Sequence, residues 1–331
     1  MCEVWELLRE ATPMRPDAVA AWTPYLQGFA LHRKWPRYYM ASADMAANPG
    51  KYRWFVVDGC LLVVKWVTMG GLKVHLALPP MSASGDTNAE REVLAWLTAA
   101  GVGARLSDED LHLYGSGVEV TPCPHGPEFL YATKDYAALT GDAWKKWRNT
   151  LNHAARDGWR VTRIEGSQVP SVQALLREVS RSWEVERGKS GAHELRIGAH
   201  PQGVPNGWVN MVTAPSEVVR AWSAHQDLHG LPWAVAMVGH WVPSAFERMN
   251  ASVLLHLWDM RASSASCQVV NMGSGVGDKR LVAAKRKLRP CHELPLFRTV
   301  TPRPVTREEW DASRARPEGK SGDALSLFGD G

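Results

Sequence analysis

The sequence predicts an α/β protein. Two observations predict it. Runs rich in β-branched and aromatic residues alternate with segments whose apolar residues recur at helical spacing. The dipeptide Asp58-Gly59 joins two of those runs and signals a tight hairpin. A chain of 331 residues, 45% hydrophobic and 22% charged, is long enough for one large domain or two ordinary ones.

Taken in order, Asp17 to Arg33 reads as a helix. Tyr52–Val57, Leu61–Val67 and Leu72–Leu78 read as strands that end at Pro79-Pro80. Asn88–Ala100 is helical, with Val93, Leu94 and Leu97 on one side and Gly101 as its stop. Glu128–Ala132 is a short strand, and Thr133 is placed to cap a short helix running to Leu139. A longer helix covers Asp142–Asp157, Trp159–Ile164 is a strand and Ser171–Arg187 a helix. Gly188–Gly207 is rich in Gly, His and Pro and reads as a long loop. The pattern then predicts a helix over Ser216–His229 and strands over Trp233–His240, Ser252–Met260 and Ser266–Asn271. A helix over Asp278–Arg289 and a last strand over Glu293–Val300 complete the body. Residues 301–331 are rich in Pro, Arg, Glu, Ser and Gly and read as a disordered tail.

Composition excludes several classes. No apolar run approaches the ~18 residues that cross a bilayer. The N-terminus carries Glu3 and Glu6 where a signal peptide needs bases, so a cytoplasmic protein is expected. Five scattered cysteines, none in a C-x-x-C pair, point to reduced thiols. Cys123 and His125 lie close, but Pro122 and Pro124 flank the Cys and no second ligand pair follows, so no metal site is expected. The net charge of +4 is mildly basic; the tail holds five basic and six acidic side chains, which leaves +5 on the body. No Ser-His-Asp order, HExxH or EF-hand pattern appears, which weighs against hydrolase and metalloenzyme readings.

Two segments carry chemistry. Asn271-Met-Gly-Ser-Gly-Val-Gly-Asp278 is a strand, a Gly-rich turn and a helix start, with Gly275 and Gly277 in the turn. Such a turn is either a plain tight turn or a cradle whose backbone N–H groups face a phosphate. In the helix that follows, Leu281, Ala284 and Leu288 share a face and Lys285 sits at its margin, as a snorkelling stem or as an anion ligand. In helix 142–157, Trp144, Trp147, Leu151, Ala154 and Ala155 form an apolar stripe with Arg148 inside its border. Lys145, Asn149, Asn152 and Arg156 form a polar ridge, either a solvated face or the lining of a cleft for a phosphorylated or nucleic-acid donor.

These same segments resemble the signatures of the phosphatidylglycerol lysyltransferase C-terminal domain family. Tyr131, Thr133, Asp135, Leu139, Gly141, Lys146, Arg148, Asn149 and Asn152 match the first signature. Asn271, Gly277, Asp278, Leu281, Lys285 and Pro290 match the second at the same offsets. The resemblance implies two tandem acetyltransferase-like (GNAT) halves of mixed sheets flanked by helices, residues 1–130 and 131–300, the second carrying the motifs. It also implies transfer of an aminoacyl group from charged tRNA to a hydroxyl. On it, Lys285, Asn271 and Asp278 become catalytic candidates, and Lys146, Arg148, Asn149, Asn152 and Gly277 donor-binding ones; the polar ridge adds Lys145 and the Gly-rich turn adds Gly275 to the donor-binding set. No tightly bound cofactor is expected; the co-substrate is aminoacyl-tRNA or acetyl-coenzyme A. A hydroxyl or amine would attack the ester or thioester carbonyl, with oxyanion stabilisation from backbone N–H groups and Lys285. Asp135 and Asp278 are each either proton acceptors or helix caps. The family's acidic or amide residues after the Asn are replaced by Gly273-Ser274-Gly275; if those acids read a cationic aminoacyl group, a lysyl donor is not expected, and the family's membrane flippase part is not expected either.

Leu325-Ser326-Leu327-Phe328 resembles the peptide by which bacterial proteins dock on the replication sliding clamp, with Leu325, Leu327 and Phe328 as the contacts. That would place the enzyme on DNA with a modified base as acceptor. Lipid and small-peptide acceptors are the alternatives, and a non-catalytic nucleic-acid-binding module is the reading from another class.

Overall fold

A computed structural model of the chain describes residues 2–15, 18–41, 45, 52–68, 72–115, 117–186, 206–228, 230–246 and 251–301. The described strands form two sheets with one shared plan. The first holds β1 (Thr12–Pro13), β2 (Tyr52–Val57), β3 (Cys60–Thr68), β4 (Leu72–Leu76), β6 (Gly103–Ser107), β15 (Leu296–Thr299) and β7 (Val120–Pro122) in that order, with β5 (Met81–Ser82) on β3. The second runs β14 (His292–Leu294), β8 (Glu128–Ala132), β13 (Val269–Ser274), β12 (Trp233–Trp241), β11 (Val219–Asp227), β10 (Gly207–Thr213) and β9 (Arg160–Glu165).

Each sheet contains one parallel pair, β4 with β6 and β12 with β13; every other pairing is antiparallel. A parallel neighbour needs a crossover, and a helix supplies it each time: α3 (Thr87–Ala99) in the first sheet and α8 (Ala251–Ser263) in the second. Beyond the parallel pair the halves exchange strands. After β6 the chain passes through α4 (Asp108–Tyr114) and β7, then enters the second sheet as β8. After β13 it passes through α9 (Lys279–Lys287) and β14, then returns to the first sheet as β15. Helix α1 (Cys2–Glu10) and α2 (Ala18–Ala30) serve the first sheet; α5 (Thr133–Ala138), α6 (Lys145–Arg156) and α7 (Val169–Glu186) serve the second.

The halves share apolar contacts, since Trp22, Leu26 and Phe29 pack in one cluster with Trp233 and Val235. A buried ionic group fixes α2 against α3 and α4: Arg33 pairs with Glu90 at 2.8 Å and Asp110 at 2.7 Å, and Arg37 with Asp110 at 3.2 Å. The two guanidinium groups hold the Asp110 carboxyl below its usual range against the opposing effect of burial.

Most of the predicted elements are present, the mixed α/β class among them. Four differ. The described residues of the predicted helix Ser216–His229 are not helical; they contribute β11, which is buried on both faces within the sheet, so its apolar residues do not alternate. Ser252–Met260 is not a strand but the middle of α8, a helix buried nearly all round, which a continuous apolar run cannot distinguish from a strand. Glu293–Val300 is split at Pro295 into β14 and β15, one in each sheet. Thr133 is the first residue of α5 rather than its cap, and its hydroxyl donates to the Cys267 carbonyl at 2.6 Å. Short elements lacking strong periodicity, β6, α4 and β7 among them, were not predicted. Most of the expected loop 188–207, the tail beyond 301 and its Leu325, Leu327 and Phe328 lie outside the described residues.

Candidate functional site

Strands β12 and β13 are paired only at Trp233–Val269, Ala234–Val270 and Val235–Asn271. Past Val235 they diverge. A bulge in β12 at Met237, where the register against β11 slips, turns that carbonyl out of the ladder. Tyr38, from the 3-10 turn Tyr38–Met40 of the first half, enters the wedge and donates its hydroxyl to the Met237 carbonyl at 2.8 Å.

Asn271 sits at the last paired position and is fully buried. Its Nδ2 donates to the Pro36 carbonyl at 2.8 Å and to Glu128 Oε2 at 2.6 Å, and its Oδ1 accepts from Gly273 N at 2.7 Å. Glu128 Oε2 also accepts from Tyr38 N at 3.0 Å. One amide and one carboxylate thus tie β13 and β8 of the second sheet to the 34–38 segment of the first half. Neither Glu128 nor Tyr38 is legible as a site residue in the sequence, because their partners Asn271 and Met237 are 143 and 199 residues away.

The turn after Asn271 needs its glycines for room and for conformation. Gly273 has φ +66°, and a Cβ there would lie 2.9 Å from the Tyr38 ring; a Cβ on Gly275 would lie 2.2 Å from Val282 Cγ2. The turn's N–H groups are largely spent within the protein. Gly273 N goes to Asn271, Val276 N to Ser274 Oγ, Gly277 N to the His125 carbonyl and Asp278 N to the Gly275 carbonyl. Asp278 caps α9, its carboxylate accepting from Arg280 N at 2.7 Å and Leu281 N at 3.3 Å. Asp135 lies in the first turn of α5, where its charge suits the helix dipole, and not at the cap.

Helix α9 is rotated from the predicted orientation. Leu281 is 39% exposed and Ala284 is exposed, while Val282, Lys285 and Leu288 face inward. The reason is Lys285. Its Nζ donates to the carbonyls of Met272 at 2.5 Å, Gly273 at 3.0 Å and Ser274 at 2.9 Å, so all three ammonium protons have oxygens. Burial lowers its pKa to about 8, with the Glu128 charge acting the other way. The lysine is neither a snorkelling stem nor exposed; it pins the strand end and the turn to α9.

Helix α9 also joins the two signature segments. Tyr131 Oη donates to the Lys285 carbonyl at 3.0 Å, Tyr136 Oη donates to the Leu288 carbonyl, and Arg289 lies 5.6 Å from the Trp144 ring centroid. On α6, Arg148 is half-buried and donates to the carbonyls of Leu139 and Gly141, closing the turn that precedes the helix. Lys145, Lys146, Asn149, Asn152 and Arg156 are exposed, and no ion pair among the described residues neutralises Lys145, Lys146 or Arg156. Trp144 and Trp147 are half-buried beside them, with Lys146 Nζ 5.4 Å from the Trp147 ring. Ala155, placed in the apolar stripe by periodicity, is exposed.

The sequence profile of the phosphatidylglycerol lysyltransferase C-terminal family matches residues 33–200, just over half of the chain. The chain belongs to the phosphatidylglycerol lysyltransferase C-terminal family. By that membership it is an enzyme of the acyl- and aminoacyl-transferase class. Solved structures share the fold. L-PGS from Bacillus licheniformis matches with a TM-score of 0.64 at 13% identity, covering 92% of this chain and 98% of that one. The C-terminal domain of a putative lysylphosphatidylglycerol synthetase from Agrobacterium fabrum matches with a TM-score of 0.62 at 16% identity, covering 90% and 94%. A conserved protein of unknown function from Bacteroides thetaiotaomicron matches with a TM-score of 0.64 at 14% identity, covering 83% and 95%. The likeness is one of fold: two mixed sheets flanked by helices. A search of curated proteins gave no match. Among the described residues of this family member, no helix is long and apolar enough to cross a membrane, and no group of His, Cys, Asp and Glu is arranged to hold a metal ion.

Proposed function

We propose that this family member transfers an aminoacyl group from charged tRNA to a hydroxyl acceptor, with the second sheet and its helices holding the donor and the first sheet, β15 included, serving the acceptor. The observation that carries the donor assignment is the state of the Gly-rich turn. Four of its N–H groups, those of Gly273, Val276, Gly277 and Asp278, already have partners in the protein, which makes the turn a poor cradle for a coenzyme A pyrophosphate. The unneutralised cations lie instead on α6, beside the Trp144 and Trp147 rings, a surface suited to a nucleic-acid backbone with unstacked bases. In the reaction the acceptor oxygen attacks the ester carbonyl carbon, the carbon–oxygen bond to the tRNA ribose breaks, and the acceptor proton ends on the ribose oxygen. Lys285, Asn271 and Asp278 act as positioning groups that fix the turn, while Lys145, Lys146, Asn149 and Asn152 meet the tRNA and Arg148 braces that surface.

The test is binding of charged tRNA by wild type and by the Lys145→Glu/Lys146→Glu variant at several salt concentrations. We expect at least tenfold weaker binding in the variant and a shallower salt slope, as removal of phosphate contacts requires. Unchanged tRNA binding, with acetyl-coenzyme A raising the melting temperature instead, would replace this reading with small-acyl transfer.

A further inference from the structure

Three cations converge on one face of the first sheet beside the seam. The register fixes their places. Lys65 on β3 is opposite His75 on β4, and His75 is opposite Gly103 on β6. Arg105 lies two residues beyond Gly103 and so points to the same face, directly opposite Arg298 on β15. All three are half-buried, as are His125 and Tyr39 beside them. Lys65 Nζ is 5.2 Å from the ring centroids of both Tyr39 and Tyr52 and 3.4 Å from Tyr39 Oη; the Arg105 guanidinium is 5.2 Å from the Tyr39 ring. The His125 imidazole is held below its usual range by burial and then by Arg105, Arg298 and Lys65, so the three charges act at one place.

Among the described residues no carboxylate forms an ion pair with Lys65, Arg105 or Arg298. Glu128 is the acidic group whose charge reaches Arg105, and its Oε2 already accepts from Tyr38 N and Asn271 Nδ2. Against burial, Tyr39 and then Glu128 hold the Arg105 guanidinium above its usual range, yet no carboxylate among the described residues pairs directly with any of the three cations, which leaves them open to an anion. Like charges opposite each other on antiparallel strands repel, and desolvated cations require an anion. Lys65 and Arg105 both reach the Tyr39 ring, and the charges of all three cations act on His125; donors that come from three strands suit a phosphate, which offers oxygens in several directions. Guanidinium forks pair with phosphate oxygens bidentately. The cluster adjoins the signature turn, because the His125 carbonyl accepts from Gly277 N.

We propose that Lys65, Arg105, Arg298 and His125 form a phosphate-binding site that holds the phosphate group of the acceptor. Only the word acceptor rests on the transfer reading; the site itself does not. The full chain is titrated with inorganic phosphate, glycerol 3-phosphate and vesicles of an anionic phospholipid, with chloride and neutral vesicles as controls. The variants are Lys65→Gln, Arg105→Gln and Arg298→Gln, with Arg91→Gln on the exposed side of α3 as the control substitution. We expect the phosphate ester to bind wild type and Arg91→Gln alike, and each of the three variants at least tenfold more weakly. Without ligand, Arg298→Gln is expected to melt at or above the wild-type temperature, because it relieves repulsion from Arg105. A purely structural arginine would instead lower it. Should Arg105→Gln not fold, Lys65→Gln and Arg298→Gln carry the comparison. Tighter binding of vesicles than of glycerol phosphate identifies a headgroup as the source, and the reverse identifies a small soluble ester. No phosphate binding by wild type, or equal binding by all variants, overturns the site, and preference for inorganic phosphate over both esters overturns its assignment to the acceptor. A chain that binds the ester and transfers nothing keeps the site and removes the transfer reading.

Discussion

A lysine ammonium turned inward is costly unless each of its protons finds an oxygen, and Lys285 finds three carbonyls at the end of β13. Lys285→Met leaves those carbonyls without their donor, and we expect a loss of about 3 kcal/mol in unfolding free energy, measured by denaturant titration. The same residue links pH to function. Its pKa falls from about 10.5 to about 8 on folding, so between those values the unfolded chain binds the extra proton and stability rises with pH. Deprotonation also removes one of the three donors that hold the turn, so the transfer rate is expected to fall as pH rises through about 8. Stability and activity should therefore slope in opposite directions across that window, and parallel slopes would contradict the positioning role. His256 is the converse case. It is buried between Tyr131 and Tyr136 with neither ring nitrogen bonded, and burial lowers its pKa to about 3. Its folded pKa lies below the unfolded value near 6.5, so stability is lost as pH falls from 6.5 toward 3. His256→Phe should melt higher than wild type and flatten that acid limb; an unchanged limb would show that another group carries it.

At the scale of elements, the packing of β13 on α9 depends on an absent side chain. Gly275→Ala places a Cβ 2.2 Å from Val282 Cγ2, and we expect a loss of about 1–3 kcal/mol together with reduced transfer. A variant as stable as wild type would show that the turn can yield. This packing also shows what the sequence could reveal. Strong periodicity and turn dipeptides located β2, β3, α3, α6 and α9 within a few residues, and the family signatures marked Asn271 and Lys285. Periodicity failed where burial is two-sided, as in β11 and α8, since neither alternation nor a stripe survives there. It also assigned α9 the wrong inner face. Amphipathic counting treats lysine as outward, and only the three carbonyls of the distant strand end make it point inward. Lys65, Arg105 and Arg298 were unremarkable in the sequence because strand exchange, not spacing, brings Arg298 opposite Arg105.

At the scale of the molecule, that exchange makes the halves interdependent. The second sheet takes β8 from the segment that leaves the first, and the first takes β15 from the segment that leaves the second. Trp22, Phe29, Trp233 and Val235 then share one apolar cluster across the seam. We expect one calorimetric unfolding transition for the whole chain, with matching calorimetric and van't Hoff enthalpies. Two resolved transitions would mean that each half is stable without the other's strand. The same coupling places the turn, the α6 surface and the cationic cluster on a framework that neither half completes alone. The most direct test follows label from aminoacyl-tRNA, charged with each amino acid in turn, into acceptors that carry a hydroxyl and a phosphate. The expected result is transfer by wild type from at least one charged tRNA, abolished by Lys285→Met and weakened at least tenfold by Lys145→Glu/Lys146→Glu. No transfer from any charged tRNA, with acetyl-coenzyme A supplying the acyl group instead, would contradict the aminoacyl reading.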